Sequence, residues 1–201
     1  MRVLTEAEFQ SEAEPLLRQI FINDDPFGQP FAPNVAVRRI IYEYFYCIEP
    51  PLLDAVVVAA SSLGDQGFYF SSLWRPREKE TNDPYPYHWY IPWADVSYYK
   101  DGSDIFGSAI ISESVIYSPQ GKWGIMTSHE HYGLLGGTQE FVDEVRQLVP
   151  DLDEQVYGFL EYWQNCKTYY KGARTDWIPG LLTQVYGEQT AQKLLHSTNL
   201  P

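Results

Sequence analysis

The stretch Ser112–Ser128, SESVIYSPQGKWGIMTS, places the tightest constraint on the fold. Val115–Tyr117 and Trp123–Met126 are β-branched and aromatic runs, and the SPQGK between them carries the Pro and Gly of a tight turn. That pattern predicts a β-hairpin, and a hairpin needs further strands or a helix layer to be stable in water. The residues upstream supply strand material. Gly67–Trp74, GFYFSSLW, reads as a buried aromatic strand. A polar loop, Arg75–Tyr87, leads to His88–Trp93, HWYIPW. A further strand is expected to end in VSYYK, Val96–Lys100, before a turn at Asp101–Asp104.

The two ends of the chain carry helical patterns. Thr5 followed by Glu8 is a capping-box pattern, and Pro15 interrupts the helix it starts. Asn23–Asn34, with three prolines and a glycine, reads as a loop. From Asn34, Val37, Ile40, Ile41, Tyr44, Phe45 and Ile48 recur every three or four residues, the spacing of a helix. Pro50-Pro51 stops it and starts another through Leu52–Leu63, with Gly64 as C-terminal cap. Thr138 caps a helix through Val149, with Glu140 near its positive end. A second begins at Asp151, with Val156, Phe159, Leu160 and Trp163 on one face, and a break at Gly187 divides the last helical pieces. Helices, then a meander of strands, then helices predict an α+β domain over residues 1–201. Its antiparallel sheet of about four or more strands occupies the middle of the chain, between N- and C-terminal helices.

Charge excludes some partners. Twenty-seven acids against 14 bases give −13, which repels nucleic acid and anionic membrane and favours the approach of a basic protein. The longest apolar run, LLDAVVVAA, is too short to span a bilayer, and MRVLTEAEFQ lacks the apolar core of a signal peptide. A cytoplasmic protein of bacterial kind is expected. Cys47 and Cys166 sit in apolar surroundings, and whether they pair stays open.

Ser128–Gly137, SHEHYGLLGG, is the main candidate for chemistry. His129 and His131 would share one side of an extended segment. A metal needs a third ligand and oriented outer partners, which neighbouring residues do not supply. No nucleophile elbow or phosphate loop occurs, and the motifs imply neither metal nor cofactor. The segment is expected to leave a strand at Ser128 and turn on Gly136-Gly137 into the Thr138-capped helix.

The segment from Thr138 to Glu161 holds Glu140, Asp143, Glu144, Asp151, Asp153, Glu154 and Glu161 against Arg146 alone, seven acids to one base, or −6. Such a surface, with aromatic neighbours as anchors, suits docking of a basic protein. YSPQGKWGIMTSHEHYGLLGGTQEFVDEV, Tyr117 to Val145, resembles small bacterial proteins that are similar to toxin-immunity proteins. The resemblance implies an acidic, non-enzymatic binding protein that blocks a basic toxin domain. The expected contact residues are Trp123, His129, His131, Tyr132, Glu140 and Glu144. The alternative is a metal-dependent or acid/base hydrolase centred on His129, Glu130 and His131.

Overall fold

In the computed structural model, residues 1–44, 48–73, 86–100, 113–170, 172–198 and 200 are described. The chain is α+β. Among the described residues, seven strands form one antiparallel sheet: β1 (Arg2–Val3), β2 (Val37–Tyr42), β3 (Gly67–Ser72), β4 (His88–Pro92), β5 (Ser114–Tyr117), β6 (Trp123–Thr127) and β7 (Tyr132–Gly137). Their order across the sheet is β1-β4-β3-β5-β6-β7-β2. The hairpin pairs as expected, Val115 with Met126 and Ile116 with Ile125.

Helices cover both faces. On one face lie α1 (Glu6–Glu8), a π-helical turn (Phe9–Ala13), α2 (Glu14–Ile20), α6 (Gln155–Tyr169), α7 (Ile178–Tyr186) and α8 (Glu188–His196). Phe9, Leu17, Phe159 and Leu181 from these helices pack with Ile40, Val115, Tyr117 and Leu134 of the sheet. The other face packs α3 (Leu52–Ser62), α4 (Val96–Lys100) and α5 (Gln139–Leu148) against Ile41, Phe68, Trp89, Ile116, Ile125 and Leu135. Strands β2 to β7 thus send alternate side chains into two cores, and polar alternation disappears from their sequence. Among the described residues no helix is long and apolar enough to cross a membrane.

The capping box at Thr5 and Glu8 forms. Pro15 does interrupt regular hydrogen bonding: the π turn directly precedes it and α2 resumes with Pro15 in its first turn. Gly64 ends α3 at φ 92°, where a side chain would be strained. Thr138 caps α5 by accepting from the Phe141 amide, and Val156, Phe159, Leu160 and Trp163 are the buried residues of α6.

Three expected elements differ. Residues 37–42 are the edge strand β2, not a helix. Val37 and Ile41 enter one core and Ile40 the other, so the three-to-four spacing of apolar residues reflected two buried faces. Val96–Lys100 is helix α4 after a 3₁₀ turn, rather than a strand. The Gly-Gly step lies inside strand β7, which runs to Gly137, instead of forming a turn. Gly136 is needed there for close approach: a Cβ would lie 2.3 Å from Cε1 of Phe31. The turn at Asp101–Asp104, Phe45 and Cys47 lie outside the described residues; Cys166 is half-buried on α6.

The edge strand β2 is closed by side chains. Its Ile40 amide donates to Tyr186 Oη at 3.1 Å and its Tyr42 amide to Gln155 Oε1 at 3.2 Å. These contacts bring α6 and α7 against the edge and shape the cleft described below.

Candidate functional site

The β6–β7 turn brings His129, Glu130 and His131 close in sequence but not to one point. His129 Nδ1 pairs with Glu113, and its Nε2 lies 3.5 Å from Glu130 Oε1. His131 has φ 65°, which turns its ring away from the extended geometry that would align the two imidazoles. Its ring stacks on Tyr162 of α6, 5.2 Å between centroids. Among the described residues no three His, Cys, Asp or Glu side chains are grouped to hold a metal ion.

The other expected contact residues separate as well. Trp123 and Tyr132 are 0% exposed and present no surface. Tyr132 Oη donates to the Pro26 carbonyl at 2.9 Å and its ring stacks on Trp177, fastening the 21–36 loop to the sheet. Burial raises its pKa well above the ordinary tyrosine value. Trp123 stacks on Phe141, and its Nε1 donates to Asp65 Oδ2 at 2.8 Å. Ser118 Oγ and Gln120 Nε2 donate to the same buried carboxylate, at 2.9 and 2.8 Å. The SPQGKW stretch is therefore a structural lock on Asp65. Glu140 and Glu144 sit on α5, beyond the far end of β7 from His129, about 20 Å for a six-residue strand. Glu144 takes a hydrogen bond from Ser62 and Glu140 is exposed.

Ion pairing thins the acidic cluster. Asp143 pairs with Arg146, and Asp153 with both Arg146 and Arg39. Burial opposes ionisation of Asp153, but hydrogen bonds from Arg146 and Arg39 outweigh it and hold the carboxyl below its usual range. Glu140, Asp151, Glu154 and Glu161 are exposed and have no ion-pair partner among the described residues.

Two of these acids frame an exposed aromatic. Tyr157 and Glu161 are four apart on the outer face of α6, and Glu154, the N-cap of that helix, precedes Tyr157 by three. Tyr157 is 56% exposed, and Tyr169 and Tyr170, still more exposed, lie at the end of the same helix. Tyr157 also lines a cleft of about 820 Å³ beside β2. Arg38 and Arg39 of β2, Gln139 of α5, Asp153, Gln184 and Tyr186 of α7, and Gly187 and Thr190 at the start of α8 form its polar walls. Sequence reading missed this cleft because β2 read as a helix and α6 to α8 are far from it along the chain. The −6 segment was the one available signal, and it held Asp153, Glu154 and Glu161 without separating paired acids from free ones. No protein-family model, curated protein or solved structure matches this chain.

Proposed function

We propose that the protein acts, in the bacterial cytoplasm, by binding another protein of basic surface, as an immunity-type inhibitor binds a toxin domain. The observation that carries this reading is the half-exposed Tyr157 between the unpaired carboxylates of Glu154 and Glu161, on the wall of the cleft beside β2. Exposed carboxylates steer a cationic partner by long-range attraction, which affects the association rate more than the final affinity. A large, stiff tyrosine supplies anchoring area at small entropic cost, as at protein interfaces generally. Inhibition would follow from covering the partner's working surface.

The test uses a basic partner recovered from the native cell or encoded beside this chain. The association rate should fall as salt is raised, since exposed charges are screened over about 8–10 Å at physiological ionic strength. Glu154→Lys with Glu161→Lys should lower that rate about tenfold or more, and Tyr157→Ala should mainly speed dissociation. A cognate partner whose kinetics ignore all three substitutions would rule out this face.

A further inference from the structure

The described arginines are not treated alike by the fold. Arg2, Arg18, Arg39, Arg146 and Arg174 each pair with at least one carboxylate. Arg38 has no carboxylate partner among the described residues, in a chain with 27 acids and 14 bases. Its guanidinium donates to main-chain carbonyls alone: Nη1 to Gln184 at 2.8 Å, and Nη2 to Ala32 at 3.0 Å and Pro33 at 3.4 Å. It also lies over the Phe31 ring, 5.5 Å from the centroid. A guanidinium carries five N–H donors, so these three contacts leave donor capacity unused.

The other charges of the cleft lining offset one another and leave Arg38 without a counter-charge there. The cleft lining carries two guanidiniums, Arg38 and Arg39, and one carboxylate, Asp153, which Arg39 and Arg146 already hold. Gly187, the N-cap of the nine-residue α8, lines the same cleft and offers no side chain to the first-turn amides. Thr190, in the first turn of α8, lines the same cleft. A partly desolvated cation is costly without a counter-charge, and burial pulls the Arg38 pKa below its ordinary value.

We infer that the cleft beside β2 is an oxyanion site, in which Arg38, with the Thr190 hydroxyl and the first turn of α8, receives a carboxylate or a phosphate. Charge-assisted hydrogen bonds from a guanidinium and free amides at a helix start are the usual means of holding such a group. The acidic exterior opposes small free anions, so their binding is weak, in the millimolar range. An oxyanion carried on a basic polypeptide avoids that penalty, because its cationic flanks meet Glu154 and Glu161. Only this last step rests on the function proposed above.

The test is an amide and arginine-Nε NMR titration of the intact chain with sodium phosphate, N-acetylglycine and N-acetylglycinamide at matched ionic strength. Saturable shifts at Arg38 Nε, Glu188 and Thr190 are expected with phosphate or N-acetylglycine and not with the amide; whichever anion binds more tightly names the source. Thr190→Glu, which leaves the contacts of Arg38 in place, should weaken binding at least tenfold, and Arg38→Lys several-fold. Equal response to the neutral amide, failure to saturate, or indifference to Thr190→Glu overturns the site. Absence of the anion response in the unsubstituted chain, with partner binding intact, refutes this inference alone. The converse result refutes only the acidic-face reading.

Discussion

Asp65, on the turn after α3, accepts a 2.8 Å hydrogen bond from the indole of Trp123 at the start of β6, 58 residues later. Ser118 and Gln120 converge on the same carboxylate, so one acid ties the α3 turn to the central hairpin. Asp65→Ala would strand three donors, two of them in the interior, and should cost about 3 kcal/mol or more in urea unfolding. Asp65→Asn should cost about 1.5–3 kcal/mol, because one acceptor oxygen becomes a donor. A loss below 0.5 kcal/mol in both would show that the lock is not needed.

The glycines of β7 and α7 should respond oppositely to alanine. At Gly136 the new methyl would meet Phe31 at 2.3 Å and force the ring aside, which should destabilise the fold by about 1–3 kcal/mol. At Gly180, in α7, nothing lies within 4 Å, and alanine should stabilise by about 0.5–1 kcal/mol through its better helix propensity. Thermal unfolding of the two variants side by side decides both.

Alkaline conditions should unfold the protein in a defined window. Burial raises the pKa of Tyr117 and Tyr132, and takes Tyr44 and Tyr186 up to about 12. The folded state then keeps protons that the unfolded chain releases near 10, so this contribution is complete below pH ~10 and is lost as pH rises to about 12. The urea midpoint should fall steeply between those limits, and Tyr186→Phe should make the fall shallower.

The acid side has the opposite sign. Asp153 is held below its usual pKa, so the stability it brings exists above the unfolded aspartate value, about 3.9, and is lost as pH drops through its folded value. Arg39→Gln should weaken that dependence by removing one of its two guanidinium partners. Unfolding midpoints at pH 5 and pH 3, compared between the two chains, check the sign.

Tyr157→Ala should leave unfolding within about 0.5 kcal/mol of the parent chain, because the side chain is exposed and its loss opens no core cavity. That makes any effect on partner dissociation readable as a surface effect. A larger stability loss would mean that Tyr157 supports the cleft wall.

Legibility in the sequence followed local chemistry. The hairpin around SPQGK, the caps at Thr5 and Thr138, and the Gly64 stop are short-range signals, and each forms. The α+β class followed from their order. Residues 37–42 misled because a strand buried on both faces shows no alternation, and its six residues fit a helical spacing equally well. SHEHYGLLGG misled for a related reason: glycines that usually mark turns serve in β7 to admit Phe31 and Ile41 against the backbone. Aromatic richness located no surface, because Trp123 and Tyr132 build the interior while Tyr157 stands outside. Which acids are neutralised depends on Arg39, over a hundred residues away from Asp153, and spacing holds no trace of that.

The hydrogen bonds from the Ile40 and Tyr42 amides to Tyr186 and Gln155 restrict how this protein can be recognised or misassembled. An outermost strand with bare amides is a template on which an extended peptide, or a second copy, can add by main-chain pairing. Here two side chains occupy those donors before any visitor arrives. Growth of the sheet into a fibre through this strand is blocked, and a ligand at the cleft must be selected by its side chains or charged end group.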